Sequence, residues 1–341
     1  MNRKKFLQQS AMATSGLIIA NGLFAKSKEP VYGHNGMKYQ MDVKWGTLDA
    51  SVHPVNDCHE MVEDSKGRII LLTNETKNNI LVYDKSGKLL EFWGHEFPGA
   101  HGLTIHRANG EDFLYITDTN KHQVYKTTID GKLLLTIDYP AETGKYEKKE
   151  AFVPTETTVL ENGDFYIADG YGSQFIMQYD AAGKLKNIFG GKGDKPENLD
   201  NAHGITIDTR HKELTLLITD RTRNCFKRFS MDGKLIEIIA LPGACVCRPV
   251  IKGKHLYAAV LRSPDLKAVG TGFVTILDKN NKVVSNIGGS EPVYKNKELQ
   301  PMSQAEKIFV HPHDVCVDDD ENLYVAQWAS GKVYPYKFKR V

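Results

Sequence analysis

The sequence contains little cysteine, little net charge and only one long apolar run, and each scarcity limits what the protein can be. Five cysteines among 341 residues form no readable disulfide pattern, and their odd number leaves at least one thiol unpaired within a monomer. A formal net charge of +2 gives no electrostatic reason to bind nucleic acid or a membrane surface. The chain is nevertheless long enough to bury a large core within one domain.

The cysteines offer one weak metal signal. Cys245 and Cys247 are close enough in sequence to share a soft metal ion, but no second cysteine pair and no neighbouring histidine accompany them. We therefore interpret the five cysteines as packing residues.

The one apolar run lies at the N-terminus and is typical of an export signal. A basic start with Arg3 and Lys4 is followed by an uncharged stretch that ends among small residues near Ala25. The pattern predicts a signal peptide over residues 1–25, similar to a twin-arginine signal in which Lys4 replaces the second arginine. The alternative is an uncleaved anchor, but the apolar run is short and Asn21 interrupts it.

Export has consequences for the rest of the chain. We expect residues 26–37 to form a leader and residues 38–341 to form the folded domain. We expect a periplasmic or secreted monomer that has no membrane span once the signal is removed.

The body of the chain repeats a unit of about 44 to 52 residues, a period typical of β-propeller blades. Each unit has a short strand, a strongly apolar strand, a polar loop and a third strand before a Gly-Lys or similar turn. The apolar strands are predicted at 69–72, 113–116, 165–168, 214–218, 256–260 and 323–326. No convincing amphipathic helix lies between the strands, which argues against a βαβ fold. The units resemble NHL repeats.

The sequence therefore predicts an all-β protein, a six-bladed β-propeller. The sixth repeat reaches Val341 after three strands, so its fourth strand must come from elsewhere in the chain. Lys38 to Leu48 alternates suitably, and pairing it with the last segment would close the ring and remove its open edges. The alternative is a seven-bladed ring, but residues 38–58 are too few for a complete extra blade.

Histidines recur at one position of the repeat, the first residue of the inner strand, which lies near the central axis. His101, His203 and His313 occupy it on blades two, four and six. Alternate blades of such a ring are about 120° apart, so these side chains should converge, and three imidazoles with an open position make a catalytic zinc site. The alternative is a polar lining of a solvated channel. His59, on blade one, is a further ligand, a proton donor or a substrate contact.

Longer segments around these histidines carry a more specific pattern. They read AHGLTI (100–105), TDTNKHQVYK (117–126), VPTETTVLENGDFYIADGYGSQF (153–175), NAHGITI (201–207), ITDR (218–221) and HPHDVCV (311–317). In this order they resemble peptidyl-α-hydroxyglycine α-amidating lyase, over roughly residues 55–341. The resemblance implies a six-bladed propeller that cleaves a carbinolamide into an amide and glyoxylate.

The resemblance also implies roles for individual residues. It assigns zinc to His101, His203 and His313, a catalytic tyrosine to Tyr171, and an arginine near the site to Arg221.

A structural calcium ion is a second implication of the resemblance. Its ligands would be the main-chain oxygens of Met61 and Leu103 and the carboxylate of Asp314. Hard oxygen ligands suit calcium. Asp314 would otherwise orient the neighbouring zinc ligand.

Three positions depart from the family and predict a different substrate. Asn74 stands where the family has a substrate-binding arginine, His311 replaces a methionine before the last zinc ligand, and Gly172 replaces a cysteine after the catalytic tyrosine. We expect Asn74 and His311 to contact a substrate that is not an amidated-peptide precursor.

The sequence thus predicts an exported zinc-dependent lyase, or a hydrolase, with Tyr171, Arg221 and His59 as catalytic residues. Its substrate would be a small molecule, a peptide or a glycan. The competing interpretation is a non-catalytic NHL-repeat protein that binds or scaffolds a partner. A streptogramin-lyase-like or lactonase-like propeller is a further alternative, which would use acidic ligands or a different set of histidines.

Overall fold

Short strands with apolar residues on both faces build the molecule. All five residues of the strand Ile69–Thr73 are buried, as are all five of Leu323–Gln327. A strand of this kind needs cover on both sides, which a sheet packed between two other sheets provides. The computed structural model describes residues 30–341, of which 31–341 form one compact unit.

Six antiparallel sheets form the blades of a β-propeller, as the sequence predicts. Blade one contains the strands Cys58–Glu63, Ile69–Thr73, Ile80–Tyr83 and Leu89–Trp93. Blade two contains Ala100–Ala108, Glu111–Asp118, Gln123–Thr128 and Leu133–Ile137. Blade three contains Glu156–Val159, Phe165–Ala168, Phe175–Tyr179 and Leu185–Gly190. Inner strands of neighbouring blades contact one another around the whole ring, including the step from blade six to blade one.

The other three blades follow the same plan with local changes. Blade four contains the strands Ile205–Asp208, Thr215–Asp220, Cys225–Phe229 and Leu235–Ala240. Blade five contains Cys245–Val246, Val250–Lys252, His255–Arg262, Phe273–Leu277 and Val283–Ile287. Blade six contains Pro312–Val317, Leu323–Gln327, Tyr336–Arg340, Met37–Asp42 and Val31–His34. The inner strand of blade five is split in two, and both pieces pair with the same neighbour.

The remaining regular elements lie in connections between strands. They are the short hairpin Tyr294–Lys295 and Glu298–Leu299, and the 3₁₀ turns Ala141–Thr143, Lys149–Ala151 and Arg221–Arg223. Among the described residues, no helix has the length and apolar character needed to cross a membrane.

The chain closes its ring through the predicted N-terminal strand. Met37–Asp42 pairs antiparallel with Tyr336–Arg340, and Tyr39 faces Arg340. The predicted boundary of the leader is wrong, however, because Val31–His34 adds a fifth strand to the same sheet. The predicted signal peptide over 1–25 lies outside the described residues. All five cysteines are buried with free thiols, as expected of packing residues.

Candidate metal centre and active site

Irregularities in the inner strands aim the histidines at the axis. On blade one, Cys58 faces Thr73 and Glu60 faces Leu72, so His59 is an extra residue with no opposite partner. The same shift of register occurs at His101 and at His313. A bulge of this kind turns one side chain away from the alternation of its strand, and bulges are frequent beside active sites.

Two glycines allow the inner backbones to approach each other next to the histidines. A Cβ on Gly102, which follows His101, would lie 2.5 Å from the carbonyl oxygen of Thr155. A Cβ on Gly204, which follows His203, would lie 2.5 Å from Cα of Arg248. Both distances are too short for any side chain, so the His-Gly pairs of the sequence are a packing requirement of the central ring.

Four imidazoles meet on the axis. The ring centroids of His101, His203 and His313 are 4.7–4.9 Å apart, and His59 lies 4.8 Å from His101 and 4.9 Å from His313. All four side chains are buried. Ligand nitrogens of His59, His101 and His313 lie within 4.8 Å of one another, and Nε2 of His203 is 3.1 Å from Nε2 of His313. The predicted convergence of alternate blades is therefore present, with His59 beside it.

The hydrogen bonds of the rings favour metal binding through Nε2. Nδ1 of His101 donates to the carbonyl oxygen of Thr155 at 2.8 Å, and Nδ1 of His313 donates to that of His59 at 3.0 Å. A proton fixed on Nδ1 leaves a lone pair on Nε2, the usual state of a histidine ligand. Nδ1 of His203 and of His59 are buried without a hydrogen-bond partner among the described residues.

The donor set fits a tetrahedral metal ion such as zinc. Two nitrogens on one zinc ion are about 3.3 Å apart when each lies at the usual bond length. The 3.1 Å between Nε2 of His203 and Nε2 of His313 is close to this value. Burial lowers the pKa of all four rings, that of His59 to about 3, so the imidazoles are neutral at pH 7, as metal ligands must be.

Tyr171 reaches the same centre from blade three. Its hydroxyl lies 3.1 Å from Nε2 of His101 and 3.5 Å from Nη1 of Arg221. The residue as a whole is 42% exposed, because its ring forms part of a cavity wall while the hydroxyl lies at the bottom. Burial raises the pKa of Tyr171, and the positive charge of Arg221 opposes that rise.

Arg221 is a buried cation without a carboxylate partner. The residue is 2% exposed, and its guanidinium donates to the carbonyl oxygen of Val246 and to the sulfur of Cys247. Within residues 30–341, no acidic side chain forms a salt bridge with it. A buried charge is costly unless it is paired, so this guanidinium is available to a negative charge on a bound molecule.

One cavity of about 420 Å³ opens above these groups. Its wall includes, from every blade, residues at the end of the second strand or within three residues after it. They are Asn74, Thr119 and Asn120, Tyr171, Arg221, Arg262 and Trp328. The volume is within the range of small-molecule sites.

Comparison with known proteins shows which proteins the chain is similar to. No family model matches the chain. Over 281 residues it is 37% identical to peptidyl-alpha-hydroxyglycine alpha-amidating lyase 1 of Drosophila melanogaster, an alignment that covers 74% of this chain and 47% of the relative. NHL repeat-containing protein 3 of Homo sapiens is 24% identical over 245 residues, which cover 68% of this chain and 69% of that protein. The chain is an NHL-like propeller related to the amidating lyases.

The propeller spans about half the length of the first of these relatives. A solved structure described as streptogramin B lyase superimposes with a TM-score of 0.55 at 13% identity, over 88% of this chain and 97% of that one. At such low identity the superposition shows a shared fold and nothing about the reaction.

The three oxygens that the resemblance assigns to calcium have another partner in this NHL-like propeller. The guanidinium of Arg248 donates to the carbonyl oxygens of Leu103 and Met61 and to both carboxylate oxygens of Asp314. A side-chain cation thus occupies the position expected for the ion. The prediction of calcium at this place is therefore wrong for the structure described here.

The two residues expected to contact a substrate lie in different surroundings. Asn74 lines the cavity, but its side chain is hydrogen-bonded to Asn56 and Asp57. His311 does not line the cavity; its Nε2 accepts a hydrogen bond from the amide of Gly270, and its ring packs against Trp328. The prediction for His311 is therefore wrong, because the residue supports the cavity wall from behind.

Sequence reasoning missed Arg262 and Trp328 as cavity residues. Both could have been found, since Arg262 ends the second strand of blade five and Trp328 follows that of blade six, at the end of the strand where Tyr171 and Arg221 also lie. The position of a residue in the repeat, and not its type, would have predicted that it lines the cavity.

Proposed function

We propose that this protein is an exported, metal-dependent lyase that breaks a C–N or C–O bond next to a substrate hydroxyl. One observation carries the proposal: the Tyr171 hydroxyl lies between an imidazole of the axial cluster and a buried arginine with which no carboxylate of residues 30–341 forms a salt bridge. A scaffold protein would have no need to bury an unpaired cation beside a set of neutral imidazoles.

His101, His203 and His313 would hold the metal ion, for which zinc is our assignment. Bound there, it would act as a Lewis acid toward an oxygen of the substrate. Nε2 of His101, now 3.1 Å from the Tyr171 hydroxyl, would become a metal ligand. Tyr171 would then lose its hydrogen-bond acceptor, and its O–H would be free to turn toward the substrate.

We assign the proton transfers to Tyr171. In the proposed reaction the substrate hydroxyl loses its proton, its oxygen forms a carbonyl, and the adjacent bond to nitrogen or oxygen breaks with its electron pair. The departing atom takes up a proton. Tyr171 serves as the acid or base for these transfers, and Arg221 stabilises the negative charge while the proton is in transit.

We propose that His59 assists as a neutral group. Burial and the charge of Arg221 lower its pKa to about 3, so the ring is a neutral imidazole at pH 7 and not an imidazolium acid. We assign it as an additional ligand or a hydrogen-bonding contact to the substrate. Its buried Nδ1, which has no partner among the described residues, is the atom available for either role.

The cavity wall favours a small substrate with an anionic or strongly polar end. Leu261, Leu266 and Trp328 give one side an apolar surface. Arg262 adds a second guanidinium, and its Nε is buried without a hydrogen-bond partner in the described part of the chain. Asn74 replaces the family's arginine on the other side, so we expect a substrate related to, but different from, a peptidyl-α-hydroxyglycine.

Release of glyoxylate from an N-acyl-α-hydroxyglycine tests the C–N lyase reaction. We expect turnover by zinc-loaded protein and its loss after chelation. Tyr171→Phe removes the proton-carrying oxygen and should lower kcat by roughly 10²- to 10⁴-fold. Tyr166→Phe is the matched control on the same blade, because its hydroxyl donates only to the main chain of Met231.

The result that would contradict the lyase proposal is a zinc-loaded protein that cleaves neither this probe nor carbinolamides and hemiacetals that differ from it in their acyl or carboxylate end. Cleavage of an ester or lactone by the same preparation would then favour the hydrolase. Unchanged turnover in Tyr171→Phe would remove that residue from the chemistry even if the protein is a lyase.

A further inference from the structure

We propose that Arg248 is a built-in cation, which replaces a divalent metal ion at an acidic site on the axis and makes the propeller stable without calcium. The proposal concerns a site next to the histidine cluster and does not depend on the activity proposed above.

The guanidinium of Arg248 is bound on every edge by oxygen. Nη1 lies 2.8 Å from the carbonyl oxygen of Leu103, and Nη2 lies 3.1 Å from that of Met61. Nη2 and Nε reach the two carboxylate oxygens of Asp314 at 2.7 and 3.1 Å. Such a two-pronged contact matches the planar shape of arginine, and a lysine would not reproduce it.

Two further acids surround the same guanidinium. A carboxylate oxygen of Glu60 lies 3.3 Å from Nη1, and one of Glu156 lies 3.7 Å from Nε. With Asp314 this makes three acidic side chains, each at most 1% exposed, around one arginine. Three acids and two carbonyl oxygens around one arginine form an oxygen-rich cluster of the composition that divalent cations bind.

The site joins blades that are distant in sequence. Its oxygens come from the inner strands of blades one, two, three and six, and Arg248 comes from the break in the inner strand of blade five. Glu60 follows His59 and Asp314 follows His313, so the same short segments carry both the imidazoles and the acids. A cation here therefore fixes the strands that aim the histidines.

Arg248 also lies between two axial cavities. The histidine side opens into the cavity of about 420 Å³, whereas Arg248 itself lines a cavity of about 610 Å³ at the other mouth of the ring. Truncating Arg248 would leave an acidic, oxygen-lined space that a calcium ion could enter from that second mouth.

Thermal unfolding of metal-free protein tests the proposal, first with the unaltered chain. Zinc is first restored to saturation. The midpoint of thermal unfolding is then measured in two samples, one without calcium and one with calcium at millimolar concentration. We expect no change in the midpoint. A rise of several degrees would overturn the proposal, since it would show that the fold still uses calcium.

The variant Arg248→Ala supplies the second measurement. Loss of the buried ion pairs should lower the midpoint by roughly 5 to 8 °C. Calcium should then restore part of the loss in a saturable manner, because a ligand that binds only the folded state stabilises it. Isothermal titration should show one calcium ion per chain for the variant and none for the parent.

Arg210→Ala is the matched control. Arg210 is also fully buried in its side chain and pairs with the carboxylate of Asp208, but no second acidic side chain of residues 30–341 forms a salt bridge with it. It should lose stability without any response to calcium. A folded Arg248→Ala variant whose unfolding midpoint does not change with calcium would contradict the proposal. If that variant does not fold, the effect of calcium on the unaltered chain still tests the proposal.

Discussion

Single residues in this protein owe their chemical state to burial and to main-chain oxygens. The Nδ1 protons of His101 and His313 are fixed by carbonyl groups of neighbouring blades, so the orientation of each ring depends on the position of the next blade. The same dependence holds for Arg248, which binds two carbonyl groups from other blades. The chemical state of these side chains therefore depends on how accurately neighbouring blades are placed.

Asp208 gives a residue-scale prediction about acid stability. Burial alone would raise its pKa, but the hydrogen bonds and charges of Arg210 and Arg228 outweigh burial and hold the pKa below the ordinary 3.8. The unfolded chain therefore binds the proton more tightly. The pair stabilises the fold above about pH 4, and that contribution is lost as the pH falls through the lowered pKa.

Replacing this carboxylate should therefore lower the free energy of unfolding more at neutral pH than in acid. We expect Asp208→Asn to lower the free energy of unfolding by about 3 to 5 kcal/mol at pH 7. Urea unfolding at pH 7 and at pH 3 measures the gap to the parent protein, which should narrow at pH 3. Asp232→Asn is the control on an exposed turn, and a gap of equal size at both pH values would contradict the role of the ion pair.

The residues that could be predicted are those whose type and position in the repeat agree. His101, His203 and His313 share one register, so their convergence follows from blade geometry alone. Arg248 could not be predicted, because blade five breaks its inner strand there and the alignment of repeats fails at that point. His311 shows the opposite error, since proximity in sequence to His313 does not place it in the cavity.

At the scale of elements, irregularities in the strands carry the function. The bulges at His59, His101 and His313 turn these side chains to the axis, while the regular positions of the same strands pack between blades. Hydrophobic alternation predicts strands well, but it does not predict where a strand gains an extra residue. The N-terminal strand Val31–His34 was missed for a related reason, because four residues at a sheet edge carry too little pattern.

The closing strand gives a prediction at this scale. Tyr39 in Met37–Asp42 is fully buried against Phe338 of the last strand. We expect Tyr39→Ala to lower the free energy of unfolding by about 3 to 5 kcal/mol, because it opens a large cavity where the two ends of the chain meet. Urea unfolding checks this value, and limited proteolysis should show earlier cleavage at the termini.

Lys38→Ala tests whether the effect belongs to the seam itself. Lys38 is the exposed neighbour of Tyr39 on the same strand, so its replacement should leave stability unchanged. Equal stability of the two variants would mean that the closing strand does not hold the ring.

Two chemically different groups of side chains lie along the central axis of the propeller. Neutral imidazoles lie toward one mouth, and the acids around Arg248 separate them from the cavity at the other mouth. Every blade contributes a residue from the end of its second strand, or from the turn that follows, to the wall of the first cavity. The number of blades follows from the number of repeats, and their closure from the incomplete last repeat. The arrangement of side chains on the axis depends on all six blades together, and no single repeat encodes it.

Zinc binding to metal-free protein is the measurement that tests the central claim most directly. Isothermal titration of the parent chain should give one zinc ion, and His101→Ala, His203→Ala and His313→Ala should each abolish or sharply weaken that binding. His106→Ala, on the same strand as His101 but outside the cluster, should bind zinc as the parent does. A parent chain that binds no zinc, or three axial variants that bind it as well as the parent, would contradict the account.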